Sequence, residues 1–364
     1  MKKIFILLFL IFNIFLVSPT LAQNEEQIKT AYEKARVISV EEVVEKTDSE
    51  VISKQKIKVE ILSGEHKGDV KEIENTLSSN PLSLKVDQGN KILVYIEEIE
   101  GSKYTAQIQS FYVLPTLIFL IVLFLLTLFL IGGKQGLKAI ISLAVSIVLI
   151  FKLFIPKALS GTSPILLALV ISSIIAIVTL TLISGFKKKT LASILGTVGG
   201  VLVATILAIL FSKYTHLTGL SDEHARALFA SYPHLNFKGL LLAGIIIGSL
   251  GAVMDVAMSI SSTIAEVKKA HPEIKKIDLI KSGMNVGRDI MGTMSNTLIF
   301  AYVGSSLFLL LLFNQYGESY LKFLNFNFIA EEIIRSIAGS IGLILSIPLT
   351  AIIAGYLENK KNNS

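Results

Sequence analysis

The stretch YVLPTLIFLIVLFLLTLFLI, Tyr112–Ile131, decides the class of this protein. It holds no charged residue, and it matches the roughly 20 apolar residues that an α-helix needs to cross the hydrocarbon core of a bilayer. Outward from it toward the C-terminus, apolar runs of similar length lie near 137–155, 164–184, 191–211, 239–260, 289–313 and 334–356. Composition agrees. Of 364 residues, 52% are hydrophobic and 17% charged, whereas a soluble domain carries about 25% charged residues. The expected architecture is therefore an α-helical integral membrane bundle of about seven transmembrane helices over residues 111–356, with a short cytoplasmic tail at 357–364. The absence of Cys removes disulfides, thiolate metal sites and Cys nucleophiles from consideration.

Back toward the N-terminus, residues 23–110 have a different texture. They alternate with a period near two in Lys56-Ile57-Lys58-Val59-Glu60-Ile61, in Lys91-Ile92-Leu93-Val94-Tyr95-Ile96 and in Tyr104-Thr105-Ala106-Gln107-Ile108. Ser63-Gly64, Lys67-Gly68 and Gln88-Gly89-Asn90 punctuate the alternation as turns. This pattern predicts a small β-rich domain of about five short strands, an OB-like barrel, preceded by a short polar helix over 23–34. Lys2 and Lys3, the apolar run Ile4 to Val17 and the small residues of Thr20-Leu21-Ala22 compose a signal peptide over 1–22. An uncleaved anchor is the other reading. Both put the β domain outside the cytoplasm.

Charge tests this orientation. Residues 23–110 hold 12 Lys/Arg and 17 Asp/Glu, while residues 111–364 hold 20 Lys/Arg and 11 Asp/Glu. With seven spans starting outside, 13 of those later basic residues fall on the cytoplasmic side and 7 on the outer side, the bias that positive-inside topology requires. The acidic exported stretch lacks the basic, aromatic-studded face of a single-strand nucleic-acid binder, so no nucleic-acid partner is expected.

Polar chemistry concentrates in the fifth and sixth spans. Gly244, Gly248, Gly251, Asp255, Ser259, Ser262 and Glu266 recur at three- and four-residue steps, which puts them on one helical face. Asp255 lies about 24 Å into a core of about 30 Å, at about 1.5 Å per residue. The sixth span offers Asn285, Arg288, Asp289, Gly292, Ser295, Asn296 and Tyr302. One reading is a polar membrane site of Asp255, Ser259, Ser262, Arg288, Asp289, Ser295 and Asn296, with Asp255 binding a proton or cation. The other is a helix–helix ion pair of Asp255 with Arg288, or a hydrogen bond to Asn296, that only fixes packing. Gly244, Gly248, Gly251, Gly196, Gly200 and Gly292 are the expected close-packing positions. Residues 193–200 and 289–296 resemble each other as a weak internal echo. His216, His224 and His234 in the outer loop have no metal-ligand spacing, and Ser221 is the expected N-cap of a short helix there. No HExxH, GxxxxGK[ST] or GxSxG occurs, so no enzyme, metal or cofactor is expected.

Residues 248–260 (GSLGAVMDVAMSI), followed by 287–298 (GRDIMGTMSNTL) and Ala301-Tyr302-Val303-Gly304, resemble the YibE/F family of bacterial multi-pass membrane proteins. The order of signal peptide, small exported domain and hydrophobic bundle is also similar. The resemblance covers roughly 35–356 and implies a bacterial inner-membrane location. It implies no substrate, and it brings no role for Asp255, Arg288, Asp289 or Asn296. The expected function is a permease for a small solute or ion in the lipid bilayer, proton-coupled through Asp255. The alternative is a non-transporting scaffold or sensor whose β domain binds an extracytoplasmic protein.

Overall fold

The computed structural model describes residues 28–46, 51–77, 83–99, 104–315 and 319–359. The expected signal peptide and residues 23–27 lie outside them. The chain divides into a β-rich unit and a helical unit that begins at Leu128, taken here one at a time.

The β unit is one five-stranded sheet: β1 (Ile28–Lys46), β2 (Val51–Ile61), β3 (Val70–Leu77), β4 (Lys91–Ile99) and β5 (Thr105–Phe111), in the order β3-β2-β1-β4-β5. All neighbours are antiparallel. The 19-residue β1 serves two partners. Its first half, Ile28–Arg36, pairs with β4. From Ala35 onward it pairs with β2, with a register slip between Val37 and Ser39 that lets the strand bend. Alternation puts Ala35, Val37, Ile57, Val59, Ile61, Ile73, Ile92, Val94 and Ile96 on one buried face. The sheet curls into a half-barrel, and its edges approach where Lys71 Nζ lies 3.9 Å from the Tyr104 ring centroid. Tyr104 Oη also donates to Asp69 Oδ2 at 2.8 Å. Burial, helped by that carboxylate, pushes the Tyr104 phenol above its usual range.

The short helix expected over 23–34 is not formed where the chain is described, because from Ile28 onward this stretch is β1. Glu33, Ala35 and Val37 point inward while Tyr32 and Arg36 are exposed, and a nine-residue ladder to β4 outweighs the local helical look of Glu and Lys.

Helix begins with α1 (Leu114–Leu149), of which Leu128 onward belongs to the helical unit, and a π-turn (Ile150–Phe154) and α2 (Ile155–Leu159) continue it without a loop. The two spans expected at 112–131 and 137–155 fall on either side of a break inside α1. At about 1.5 Å per residue an unbroken 46-residue helix would run about 69 Å. It is broken at Gly133, whose φ of 52° and ψ of −124° are non-helical. A Cβ placed on Gly136 would lie 1.9 Å from the Leu128 carbonyl oxygen, although residues eight apart in a helix are about 12 Å apart. The chain therefore folds back sharply beside Gly132 and Gly133.

Next come α3 (Pro164–Ser184), α4 (Lys188–Tyr214), α5 (Glu223–Ser231), α6 (Phe237–Ala270), α7 (Lys276–Ser305), α8 (Leu307–Gln315), α9 (Tyr320–Leu324) and α10 (Asn327–Asn359). Among the described residues, five helices are long and apolar enough to cross a membrane, and a sixth if α7 and Leu307–Phe313, bent by 63°, count as one span. α7 starts at Lys276, well before the span expected at 289–313. In it Lys281 and Arg288 are exposed while Leu279, Gly283 and Gly287 are buried, and Lys276 Nζ lies 3.8 Å from the Tyr356 ring centroid.

The bundle is pinned where α4 meets α10. A Cβ on Gly200 would fall 2.8 Å from the Gly342 carbonyl oxygen, and one on Gly342 would fall 2.6 Å from that of Gly200. Gly196 is equally tight against Thr350. Only glycine permits such backbone approach. Onto this pair α6 lays Val253, against Gly200, and Ser249, opposite Gly339. Ser193 of α4 and Ser261 of α6 share a hydroxyl–hydroxyl hydrogen bond of 2.5 Å.

Gly342→Val overpacks this crossing and should cost at least about 1–3 kcal/mol. Gly251→Val, at a position where a Cβ meets nothing within 4 Å, should leave the fold near wild type. Thermal unfolding of the two purified variants in detergent checks the contrast.

Candidate functional site

The orientation of α6 follows from that packing. Leu242, Ile246, Ser249, Val253, Ile260 and Ile264 are buried against α4, α7 and α10. The opposite stripe is therefore turned out. Gly244, Gly248, Gly251, Asp255, Ser259 and Glu266 are exposed, and Ser262 is half-buried. Nothing lies within 4 Å of a Cβ on Gly244 or Gly251. Of the six glycines expected at packing positions, Gly196 and Gly200 sit in a tight crossing and Gly248 lies under the Tyr302 hydroxyl, whereas Gly244, Gly251 and Gly292 are open.

α7 runs antiparallel beside α6. Gly283 abuts Ile264 and Ile260, Gly287 abuts Ile260, and Tyr302 reaches over Gly248. By this register Asp255 is level with Gly292 and Thr293. Arg288 lies about one turn, roughly 5 Å, toward the α6–α7 connection and Asn296 about one turn away from it. On α7, Arg288, Asp289, Gly292 and Asn296 are exposed, while Ser295 is half-buried with an unpartnered Oγ. The two helices thus hold Asp255, Arg288, Asp289 and Asn296 on neighbouring outward faces at similar depth. They do not join them: among the described residues no hydrogen bond or ion pair reaches the Asp255 carboxylate. Ser259 Oγ donates to the Asp255 backbone carbonyl at 2.8 Å and Ser262 Oγ to Met258 Sδ at 3.5 Å, so both hydroxyls are satisfied within α6. An uncompensated carboxylate costs about 2.5–3.5 kcal/mol at a span centre and less toward its edge, where the sequence puts Asp255.

Sequence reasoning missed a second polar group at the other end of α6. Glu331 of α10 is only 5% exposed, and its Oε1 accepts from Ser221 Oγ at 2.8 Å. Arg335 Nε is 3.6 Å from Glu332 Oε1, and its guanidinium carbon is 6.0 Å from the Tyr302 ring centroid. Glu332 Oε2 is buried without a hydrogen-bond partner. A usable signal was present: Glu331, Glu332 and Arg335 at three- and four-residue spacing share a helical face just where an apolar span begins. Ser221 is thereby drawn away from its expected capping role, which Asp222 takes by accepting from the His224 and Ala225 amides. Through Tyr302 the cluster connects to Gly248, and Asp255 lies two turns, about 10 Å, further along the same stripe.

A family model described as YibE/F-like protein matches residues 120–360, and one described as YibE/F family N-terminal domain matches residues 30–111. The chain belongs to the YibE/F family. No curated protein and no solved structure matches it. Its several apolar helices make this YibE/F chain a membrane protein. The internal echo between 193–200 and 289–296 does not carry over into environment here. Gly196 and Gly200 are packed inside the YibE/F bundle, while Gly292 and Asn296 at the matching positions face out.

Ser221→Ala should leave a buried Glu331 oxygen without its hydroxyl donor, at about 1–3 kcal/mol. The expected result is a lower melting temperature together with faster proteolysis in the 215–222 loop.

Proposed function

We propose that this protein is a permease for a small solute or ion, with the outward stripe of α6 and the adjoining face of α7 forming the polar path and Asp255 binding the coupling proton or cation. The observation that carries this reading is the Asp255 carboxylate, which sits mid-helix with no partner among the described residues. A purely structural ion pair would show one. The Tyr302–Arg335–Glu332 group extends the polar track toward the outer end. In this reading the chain crosses a bacterial inner membrane seven times, with Leu114–Leu159 making two crossings about the Gly133 break. The β domain is exported by the N-terminal signal and forms an OB-like barrel, a form supported by the long shared strand β1 and the approach of the β3 and β5 edges. The C-terminus is cytoplasmic. The reading involves no enzymatic step, cofactor or nucleic acid.

A second reading makes the bundle an anchor and the β domain the recognition element for an extracytoplasmic protein. It is favoured by the self-contained core of that domain, closed by Gln55, which bonds both the amide and the carbonyl of Val86.

One measurement separates these readings. In proteoliposomes, Asp255→Asn should keep the wild-type melting temperature and lose solute flux driven by a proton gradient. Flux equal to wild type, or none from either protein across a broad solute panel, sinks the permease reading. Orientation is read separately with an impermeant maleimide on intact cells: Glu223→Cys should label and Glu273→Cys should not, and the reverse pattern inverts the topology.

A further inference from the structure

We infer that the outward face of α6 and α7 is the contact surface for a second copy of this chain, and that the polar path is complete only in the dimer. Three features of that face converge. Gly244, Gly251 and Gly292 leave open space above the backbone at membrane depth, with nothing among the described residues within 4 Å of a Cβ. Among the described residues Asp255 has no partner, and neither has Arg288. The two carry opposite charges, on adjacent helices and about one turn apart in depth. A face that presents an acceptor on one helix and a donor on the next is complementary to itself.

The commonest closed assembly is a two-fold dimer, in which the same patch serves both subunits. A two-fold axis along the membrane normal keeps every residue at its own depth. It lays α6 of one copy over α7 of the other, and the reverse. Asp255 then meets the partner's Arg288 and Asn296, and the glycines let the helices approach closely. A lipid-facing arrangement would leave the carboxylate and the guanidinium both unpaired in hydrocarbon. Within one chain they are not paired, and the packing of Val253 and Ile260 holds α6 in the rotation that turns Asp255 outward.

This inference rests on the same surface as the permease reading but fails independently of it. The chain has no Cys, so single cysteines report cleanly. In native membranes under mild oxidation, Gly251→Cys and Gly292→Cys should give a disulfide-linked dimer several-fold more than Ile206→Cys and Ile177→Cys, which are exposed on α4 and α3. Gly251→Ile, which fills the groove without touching its own chain, should shift the detergent-solubilised mass from dimer to monomer at unchanged melting temperature. Equal cross-linking on all faces, a wild-type monomer by mass, or a cross-linked product containing a different protein each overturns the inference. A dimer without flux would leave it standing and remove the permease reading. A monomer with flux would do the opposite.

Discussion

Everything in the helical unit depends on how closely α4 and α10 approach at Gly200 and Gly342. With each backbone carbonyl at the other's glycine, the two helices form one notched wall. α6 has a single way to seat against that wall, with Ser249 and Val253 inward. Helix geometry then leaves no freedom for the rest of α6: residues about half a turn from Val253 must point away. The outward position of Asp255 is thus a consequence of glycines on two other helices.

Periodicity made the membrane class, most helix positions and the common face of Gly244, Gly248, Gly251 and Asp255 legible from the sequence. It could say which residues share a face but not which face is covered. In water the polar side of a helix is the exposed one. In lipid, small and polar residues serve both close packing and function, and composition does not separate the two. Gly200 and Gly251 look alike in sequence, yet one is wedged against a neighbouring carbonyl and the other is open. The Glu331–Ser221 bond was illegible for another reason, since it joins residues 110 positions apart. In the β unit, Ile28–Lys34 read as helical because its Glu and Lys content is locally persuasive, and only the ladder to β4 reveals a strand.

Several hydroxyls of the helices are satisfied by their own backbone. Thr127, Ser146, Ser173, Ser193, Thr205 and Thr263 each donate to the carbonyl four residues earlier. Such a side chain in an apolar medium needs no second helix. Some reach across, as Ser142 does to Thr179 and Ser193 to Ser261, and Ser172, Thr197, Ser340 and Thr350 keep buried hydroxyls without a partner among the described residues. The carboxylates and the guanidinium cannot use the backbone device, because a charge is not neutralised by its own backbone.

The wall that orients α6 has a temporal side. α10 is the last described helix, and it supplies Ser346 and Thr350 to the notch formed by Gly196 and Gly200. A nascent chain made only as far as Gln315 already contains α4, α6 and α7 but has nothing to fill that notch or to bond Ser221. Contacts between segments this far apart in sequence close late. Until they close, α6 is held by α3, α4 and α7 alone, through contacts such as the Ser193–Ser261 bond. The C-terminal helix is the piece whose arrival fills the notch on α4 and gives Ser221 its carboxylate partner.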